Sequence, residues 1–222
     1  MMKKLVVLTL ISILILSSVS GCSAKPTAPD DDYRNWYEIF VYSFFDTNDD
    51  GIGDLNGVIE KLDYISDMSF NGIWLMPIMQ SPSYHKYDVA DYYTVDAQYG
   101  TNADFRVLVE QAHKRGIRVI IDLPVNHTSS ENQWFISSKD VNSPYHNWYN
   151  WSDKPTVGYH RLNDKLFYEG RLQSGMPDLN LDSTEVRAEI EKIMDFWLND
   201  MGADGFRLDA CTSYYTDDQQ KS

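Results

Sequence analysis

The sequence predicts an α/β fold built on a parallel sheet, and three observations carry that prediction. Apolar runs suited to strands alternate with helical spacings of apolar residues along residues 36–209. Residues 117–123 form a nearly continuous apolar run, the pattern of a parallel strand buried on both faces. Successive βα units imply a parallel sheet joined by right-handed crossovers. Four such units fit either half of a (β/α)8 barrel or a small doubly wound sheet. No glycine-rich phosphate loop follows the first strand, which weighs against a nucleotide-binding sheet.

The elements follow in order. Residues 36–42, Trp-Tyr-Glu-Ile-Phe-Val-Tyr, are aromatic and β-branched and predict the first strand. Val58, Leu62 and Ile65 recur at helical spacing. Residues 72–76 predict a second strand, and a Tyr-rich polar loop follows it. Phe105, Leu108, Val109 and Ala112 mark a second helix that Gly116 stops, and residues 117–123 are the third strand. The stretch from His127 to Leu181 is too long for a βα connection, so residues 128–181 are expected to be an inserted subdomain. Asp182 and Glu185 predict a helix cap, and Val186, Ile190, Ile193 and Trp197 form the apolar stripe of the third helix. Residues 203–209 predict a fourth strand. Residues 33–127 would thus hold the first three strands, and 182–222 the third helix and the fourth strand.

Composition and the N-terminus bound the setting. The chain has 222 residues, 43% of them apolar, enough for one domain with a sizeable core. The formal net charge of −14 repels phosphate backbones and excludes nucleic acid as an expected partner. Lys3 and Lys4 precede an apolar run over residues 5–16, too short to span a membrane and of the form of an export signal. Val19-Ser20-Gly21-Cys22 resembles the bacterial lipobox, which makes Cys22 the lipidated first residue of an exported envelope lipoprotein facing outward and held to the membrane by its anchor. Residues 23–32 are polar and Pro-rich, a tether. With Cys22 lipidated, Cys211 is the only thiol, which leaves no disulfide and no zinc site, and buried packing is its expected role.

Three constellations carry chemistry. Asp46, Asn48, Asp50 and Asp54, with the Ile52 carbonyl and a turn glycine at 51, offer the hard oxygen ligands that calcium takes. The twelfth position of an EF-hand loop would be Gly57 here, so that motif is excluded, and a solvated turn is the alternative to a metal loop. Asp122-Leu123-Pro124-Val125-Asn126-His127 closes the third strand and Gly205-Phe206-Arg207-Leu208-Asp209-Ala210 closes the fourth. Residues two apart on a strand share a face, so Gly205, Arg207 and Asp209 point one way and Phe206 and Leu208 the other. An arginine beside an aspartate favours the ionised carboxylate, which a nucleophilic carboxylate requires.

These strand ends, together with Met176-Pro177-Asp178-Leu179-Asn180, resemble in order three signature regions of the α-amylase family of glycoside hydrolases. Ser83-Tyr84-His85-Lys86-Tyr87-Asp88 looks like the family's second-strand loop, and residues 46–54 look like its calcium loop. The resemblance spans about residues 36–215 and implies the N-terminal half of a (β/α)8 barrel with a subdomain inserted after the third strand. It implies that Asp209 is the nucleophile of a retaining mechanism and that Arg207 orients it. It also implies that Tyr87 stacks on the sugar, that His127 and His85 bind its hydroxyls, and that Asp122 buttresses the site. Lys86 stands where the family usually has glycine. One Ca2+ is implied in the 46–54 loop. A second, to which Asn126 contributes in many members, also uses a histidine four positions after the nucleophile, and Ser213 stands there. Ala210 resembles the α-1,4-acting members.

The expected function is therefore hydrolysis of α-glucosidic, α-1,4 bonds in starch-type glucans or maltooligosaccharides, by a protein monomeric at full length. A transglycosylase or isomerising enzyme shares the same motifs, and a non-catalytic surface glycan-binding protein on the same scaffold is the reading from another class. The family's general acid and its third carboxylate follow later strands, and no residue of this chain matches them, so these 222 residues alone are expected to be inactive. Trp134, Tyr145, Trp148, Tyr149, Trp151 and Tyr159 can line outer sugar subsites or form the subdomain's core, and core packing is the stronger expectation.

Overall fold

The computed structural model describes residues 34–215. The export signal, the tether and the lipidation site at Cys22 lie outside the described residues. Nine strands are described: β1 (Trp36–Ile39), β2 (Gly72–Leu75), β3 (Met79–Gln80), β4 (Asp91–Val95), β5 (Arg118–Leu123), β6 (Trp151–Ser152), β7 (Tyr159–Arg161), β8 (Phe167–Glu169) and β9 (Gly205–Leu208). The five α-helices are α1 (Leu55–Glu60), α2 (Leu62–Asp67), α3 (Asn102–Lys114), α4 (Gln133–Ser138) and α5 (Thr184–Asp195).

Strands β1, β2, β5 and β9 form one parallel sheet in that order. Ile39, Leu75, Ile121 and Phe206 lie side by side in the register, as do Trp74, Ile120 and Gly205. The alternation assigns the two faces. Ile39, Ile73, Leu75, Val119, Ile121 and Leu123 are all buried and belong to the main core. Trp74, Asp122 and Arg207 share the opposite face, and the pairing of Asp122 with Arg207 across β5 and β9 sets the site geometry.

Several boundaries depart from the sequence expectation. The first strand ends at Ile39, and the chain turns through a 3-10 turn at Val41–Ser43. Gly53 packs there, its N–H donating to the Tyr42 carbonyl at 2.8 Å. A Cβ on Gly53 would lie 2.0 Å from the Val41 oxygen, so only glycine allows this approach. The first helix is two helices, broken at Lys61, whose backbone leaves the helical region and whose N–H reaches both Gly57 and Val58 carbonyls. Lys61 Nζ sits 3.6 Å from the centroid of the Phe45 ring, which ties the break to the loop before it. Helix α5 is capped by Ser183 rather than Asp182. The Ser183 hydroxyl accepts from the Val186 N–H, and the Glu185 carboxylate accepts from the Ser183 hydroxyl. The helix then widens into a π turn at Phe196–Asp200, within which buried Trp197 donates its indole N–H to the Tyr92 carbonyl at 2.8 Å. Cys211 is exposed rather than buried, because Ala210 adopts left-handed geometry (φ 51°) and turns the chain outward after β9.

Strands β3 and β4 pair antiparallel within the Tyr-rich loop that the sequence left irregular. The insertion after β5 carries α4 and the antiparallel sheet β6-β8-β7. Its core holds Phe135, Tyr149, Tyr168, Leu179, Leu181 and Val186, with Trp134, Trp148 and Trp151 packed against it. Of the aromatics expected to form this core, Tyr149 lies within it and Trp134, Trp148 and Trp151 pack against it, whereas Tyr145 only edges onto Trp148 and Tyr159 lies in β7. The Thr128 N–H donates to Pro177 and the Leu179 N–H to Asn126, stitching the insertion back to the end of β5.

Candidate active site

The C-terminal ends of β5 and β9 carry the acidic cluster. Asp122 ends up with no solvent exposure because it lies between the sheet and the loop that follows β2. Arg207 Nη1 donates to Asp122 Oδ1 at 3.1 Å and Oδ2 at 3.2 Å, and to Asp209 Oδ1 at 2.5 Å. One guanidinium nitrogen thus bridges two carboxylates that two different strands supply. Its carbon lies 5.2 Å from the centroid of the Trp74 ring, a support from β2 that sequence reading did not single out.

Asp122 also accepts from the Tyr87 hydroxyl at 2.9 Å. Burial pushes the Asp122 carboxyl up to about 6, outweighing the hydrogen bonds from Tyr87 and Arg207 that pull it down. Burial works against the charge of Arg207, but the hydrogen bonds and charges of Asp122 and Asp209 prevail and raise its pKa further. The arginine therefore stays charged. Burial, with the neighbouring Asp122 charge, also keeps the Tyr87 phenol protonated by raising its pKa.

His85, Tyr87 and His127 meet above this cluster. The Tyr87 N–H donates to His85 Nδ1 at 3.1 Å, which leaves Nε2 of His85 to carry the ring proton. His127 is buried, and burial lowers its pKa. Its Nε2 lies 3.2 Å from the Tyr87 carbonyl, which can only accept, so that nitrogen is the donor. Asp88 accepts from the hydroxyls of Ser81 and Ser83 and closes the loop beneath.

A pocket of about 250 Å³ opens here, lined by His85, Tyr87, His127, Leu172, Met176 and Asp209. The insertion supplies Leu172 and Met176, so the pocket is shared between sheet and subdomain. Leu172 gave no signal in the sequence, since one leucine in a polar stretch carries no pattern. Among the described residues, Asp209 is the one carboxylate that lines this pocket. Glu169 and Asp178, two buried acids of the insertion, are engaged elsewhere. Glu169 pairs with Arg171 at 2.7 Å and accepts from Asn150 at 2.8 Å. Asp178 accepts from Asn126 Nδ2 at 3.2 Å and from the Arg171 N–H at 3.2 Å, and burial raises its pKa to about 7.

The 46–54 loop is a separate acidic region, exposed over residues 47–51, with Asp54 buried at its end. Asp46 accepts from the N–H groups of Asn48, Asp49 and Gly51 at 2.7–3.0 Å, and Asp50 Oδ1 accepts from Ile52 at 2.8 Å. Asp54 caps α1 through Gly57 and also accepts from Thr47. Asp49 (φ 64°) and Gly51 (φ 88°) take the left-handed geometry that wraps the loop. Among the described residues no three acidic, His or Cys side chains converge as a metal site would require. The oxygens of Asp46, Asn48, Asp50 and Asp54 are nevertheless hard donors of the type calcium takes, and a carboxylate oxygen that accepts one N–H keeps capacity for a cation.

Similarity to known proteins gives the family. Residues 38–222 match the family described as alpha amylase, catalytic domain. The chain is 48% identical over 194 residues to alpha-amylase 3 of Dictyoglomus thermophilum, a match covering 85% of this chain and 39% of that protein. It is 42% identical over 195 residues to a trehalose synthase of Thermus thermophilus, covering 81% of this chain and 20% of the relative. Among solved structures, Eubacterium rectale Amy13B superposes with a TM-score of 0.83 at 50% identity, covering 88% of this chain and 40% of that one. The chain thus spans about 40% or less of the length of these relatives. Its four parallel strands are part of a (β/α)8 barrel, and the antiparallel sheet after the third of them is the insertion. The chain belongs to the α-amylase family, as part of its catalytic domain.

Proposed function

We propose that the full-length protein is a retaining glycoside hydrolase that cleaves α-1,4-glucosidic bonds of starch-type glucans or maltooligosaccharides. The observation that carries this reading is Asp209 at a strand end, lining a pocket and held by an arginine that Asp122 holds in turn. An Asp209 oxygen bonds to the anomeric carbon as the bond to the glycosidic oxygen breaks. The leaving oxygen takes a proton from a second carboxyl group, and water then releases the sugar. Tyr87 supplies a ring against the sugar, His85 a ring N–H for its hydroxyls, and His127 shapes the pocket wall by holding the Tyr87 carbonyl. Since a retaining mechanism needs two carboxyls about 5–5.5 Å apart, these 222 residues alone should not cleave α-glucans. Proton NMR of maltooligosaccharide cleavage by the full-length protein should show the α-anomer formed first. First formation of the β-anomer would contradict a retaining mechanism.

The similarity to a trehalose synthase supports a second reading, in which an acceptor sugar replaces water and the products are isomerised or transferred glucans. Product analysis separates the two. Calcium in the 46–54 loop, ligated by Asp46, Asn48, Asp50, Asp54 and the Ile52 carbonyl, would supply a structural cross-link remote from the reacting atoms. The anchor at Cys22 would place the enzyme on the outward face of the cell envelope. Mass spectrometry of the mature N-terminus should find an acylated Cys22, and an unmodified N-terminus cut elsewhere would rule the anchor out.

A further inference from the structure

We propose that Lys86 is a positioning residue, fixing His85 and Tyr87 against the pocket through a buried ion pair with Asp96. The inference rests on the glycosidase reading for its kinetic part. Lysine is almost never buried unless paired, yet Lys86 is only 2% exposed. Its backbone is left-handed (φ 62°), a conformation that a residue with a Cβ keeps only where its surroundings enforce it. Polar contacts deep in the loop enforce it. Lys86 Nζ lies 3.0 Å from Asp96 Oδ2, donates to Gln98 Oε1 at 2.6 Å and donates to the Ser81 carbonyl at 3.3 Å. Three acceptors meet the three ammonium protons, so the buried charge is satisfied. Asp96 is itself held, accepting from the N–H groups of Ser81 and Gln98 at 3.0 Å. The Tyr99 ring lies 5.5 Å from the ammonium on a further side.

The anchor thus grips the start of the loop at Ser81 and the turn at 96–99, with the two pocket residues on either side of Lys86 in sequence. His85 and Tyr87 line the pocket together, their ring centroids 5.9 Å apart, while the side chain between them runs into the core. Tyr87 makes three bonds that depend on this placement. Its hydroxyl reaches Asp122, its N–H orients His85, and its carbonyl takes the His127 proton. Moving the Lys86 backbone therefore moves His85 and Tyr87 together and disturbs the contacts that Tyr87 makes with Asp122 and His127. Misplacement of about 1 Å costs up to about a hundredfold in rate. A glycine at 86 would accept the φ without strain but would leave Asp96 buried and unpaired.

The test uses the full-length protein. Lys86→Met alone strands the Asp96 charge and is expected to destabilise the fold. The informative variant therefore combines Lys86→Met with Asp96→Asn, which removes both charges and should melt within a few degrees of the parent. Its kcat on maltooligosaccharides should fall by about tenfold or more, because the groups that hold the reacting sugar are displaced. Amide hydrogen exchange should quicken over residues 83–88 while β2 and β5 exchange as in the parent. A double variant with parental kcat and parental exchange in 83–88 would overturn the proposal and leave Lys86 as packing. If the parent cleaves no α-glucan, the glycosidase reading fails on its own, and the exchange rates alone decide the role of Lys86.

Discussion

Two acidic regions of the molecule gather carboxylates by opposite means. In the 46–54 loop every partner is local. Asp46 is answered by N–H groups within five residues, and the Gly51 N–H above all holds its carboxyl below the usual range. The loop is exposed over residues 47–51, and its order is written in a contiguous string of Asp, Asn and Gly. At the strand ends the partners are 85 positions apart, and only the β5–β9 register brings Asp122 beside Arg207. There the carboxylates are withdrawn from water, and a single arginine nitrogen serves both. The contrast teaches where each region is vulnerable. The loop stands or falls with its own residues and any cation it binds, whereas the strand-end cluster inherits the whole sheet.

The sharpest break of that contrast is Arg207→Met. It should leave Asp122 buried without its cationic partner, costing about 3–5 kcal/mol of stability, and should lower kcat/KM by about a thousandfold or more. Thermal melts and kinetics of the full-length protein check both. Parental stability in this variant would mean that the bridge between the strands carries no weight.

Buried acids give the next effect. Asp178, at about 7, and Asp122, at about 6, hold protons in the folded state at pH values where the unfolded chain has released them. Folding stability therefore declines as pH rises from about 4 to about 7. Asp178→Asn should flatten that decline by an amount on the order of 3 kcal/mol. Denaturant unfolding at pH 5 and pH 8 measures it, and an unchanged slope would show that Asp178 is ionised in the folded protein.

The smallest expected effect lies in the loop. Calcium should raise the melting temperature of the full-length protein by a few degrees, and Asp50→Ala should abolish the rise while leaving the calcium-free melt nearly unchanged. An equal response in the variant would make the loop a self-satisfied turn, consistent with the local bonds that Asp46 and Asp50 already make.

The same contrast explains what was legible in the sequence. Asp122, Arg207 and Asp209 could be placed because strands alternate with period two and their apolar runs are plain, so the faces follow once the strands are found. The sequential strand order is that of the barrel, one of the two sheets that the repeat of βα units allowed. Lys86 was illegible as an anchor, since a lysine in a polar loop reads as solvated, and nothing local signals a left-handed backbone or an acid ten residues on. The break at Lys61 lies against Phe45, a residue outside the helix, and helical periodicity alone carries no sign of it. The choice of Ser183 over Asp182 as a cap turned on one residue of register. Cys211 was misread because its burial depends on the turn at Ala210 rather than on its own chemistry. The pairing of β3 with β4 joins short segments whose Tyr content gave no alternation to read.

The proposed covalent bond between Asp209 and the sugar can be read directly. The full-length protein would be incubated with a fluorinated α-glucosyl fluoride that reacts quickly and is released slowly. It would then be digested and analysed by mass spectrometry. The account predicts a glucosyl adduct on the peptide carrying Asp209, absent from Asp209→Asn. An adduct on another carboxylate, or Asp209→Asn that still acquires the label, would contradict it.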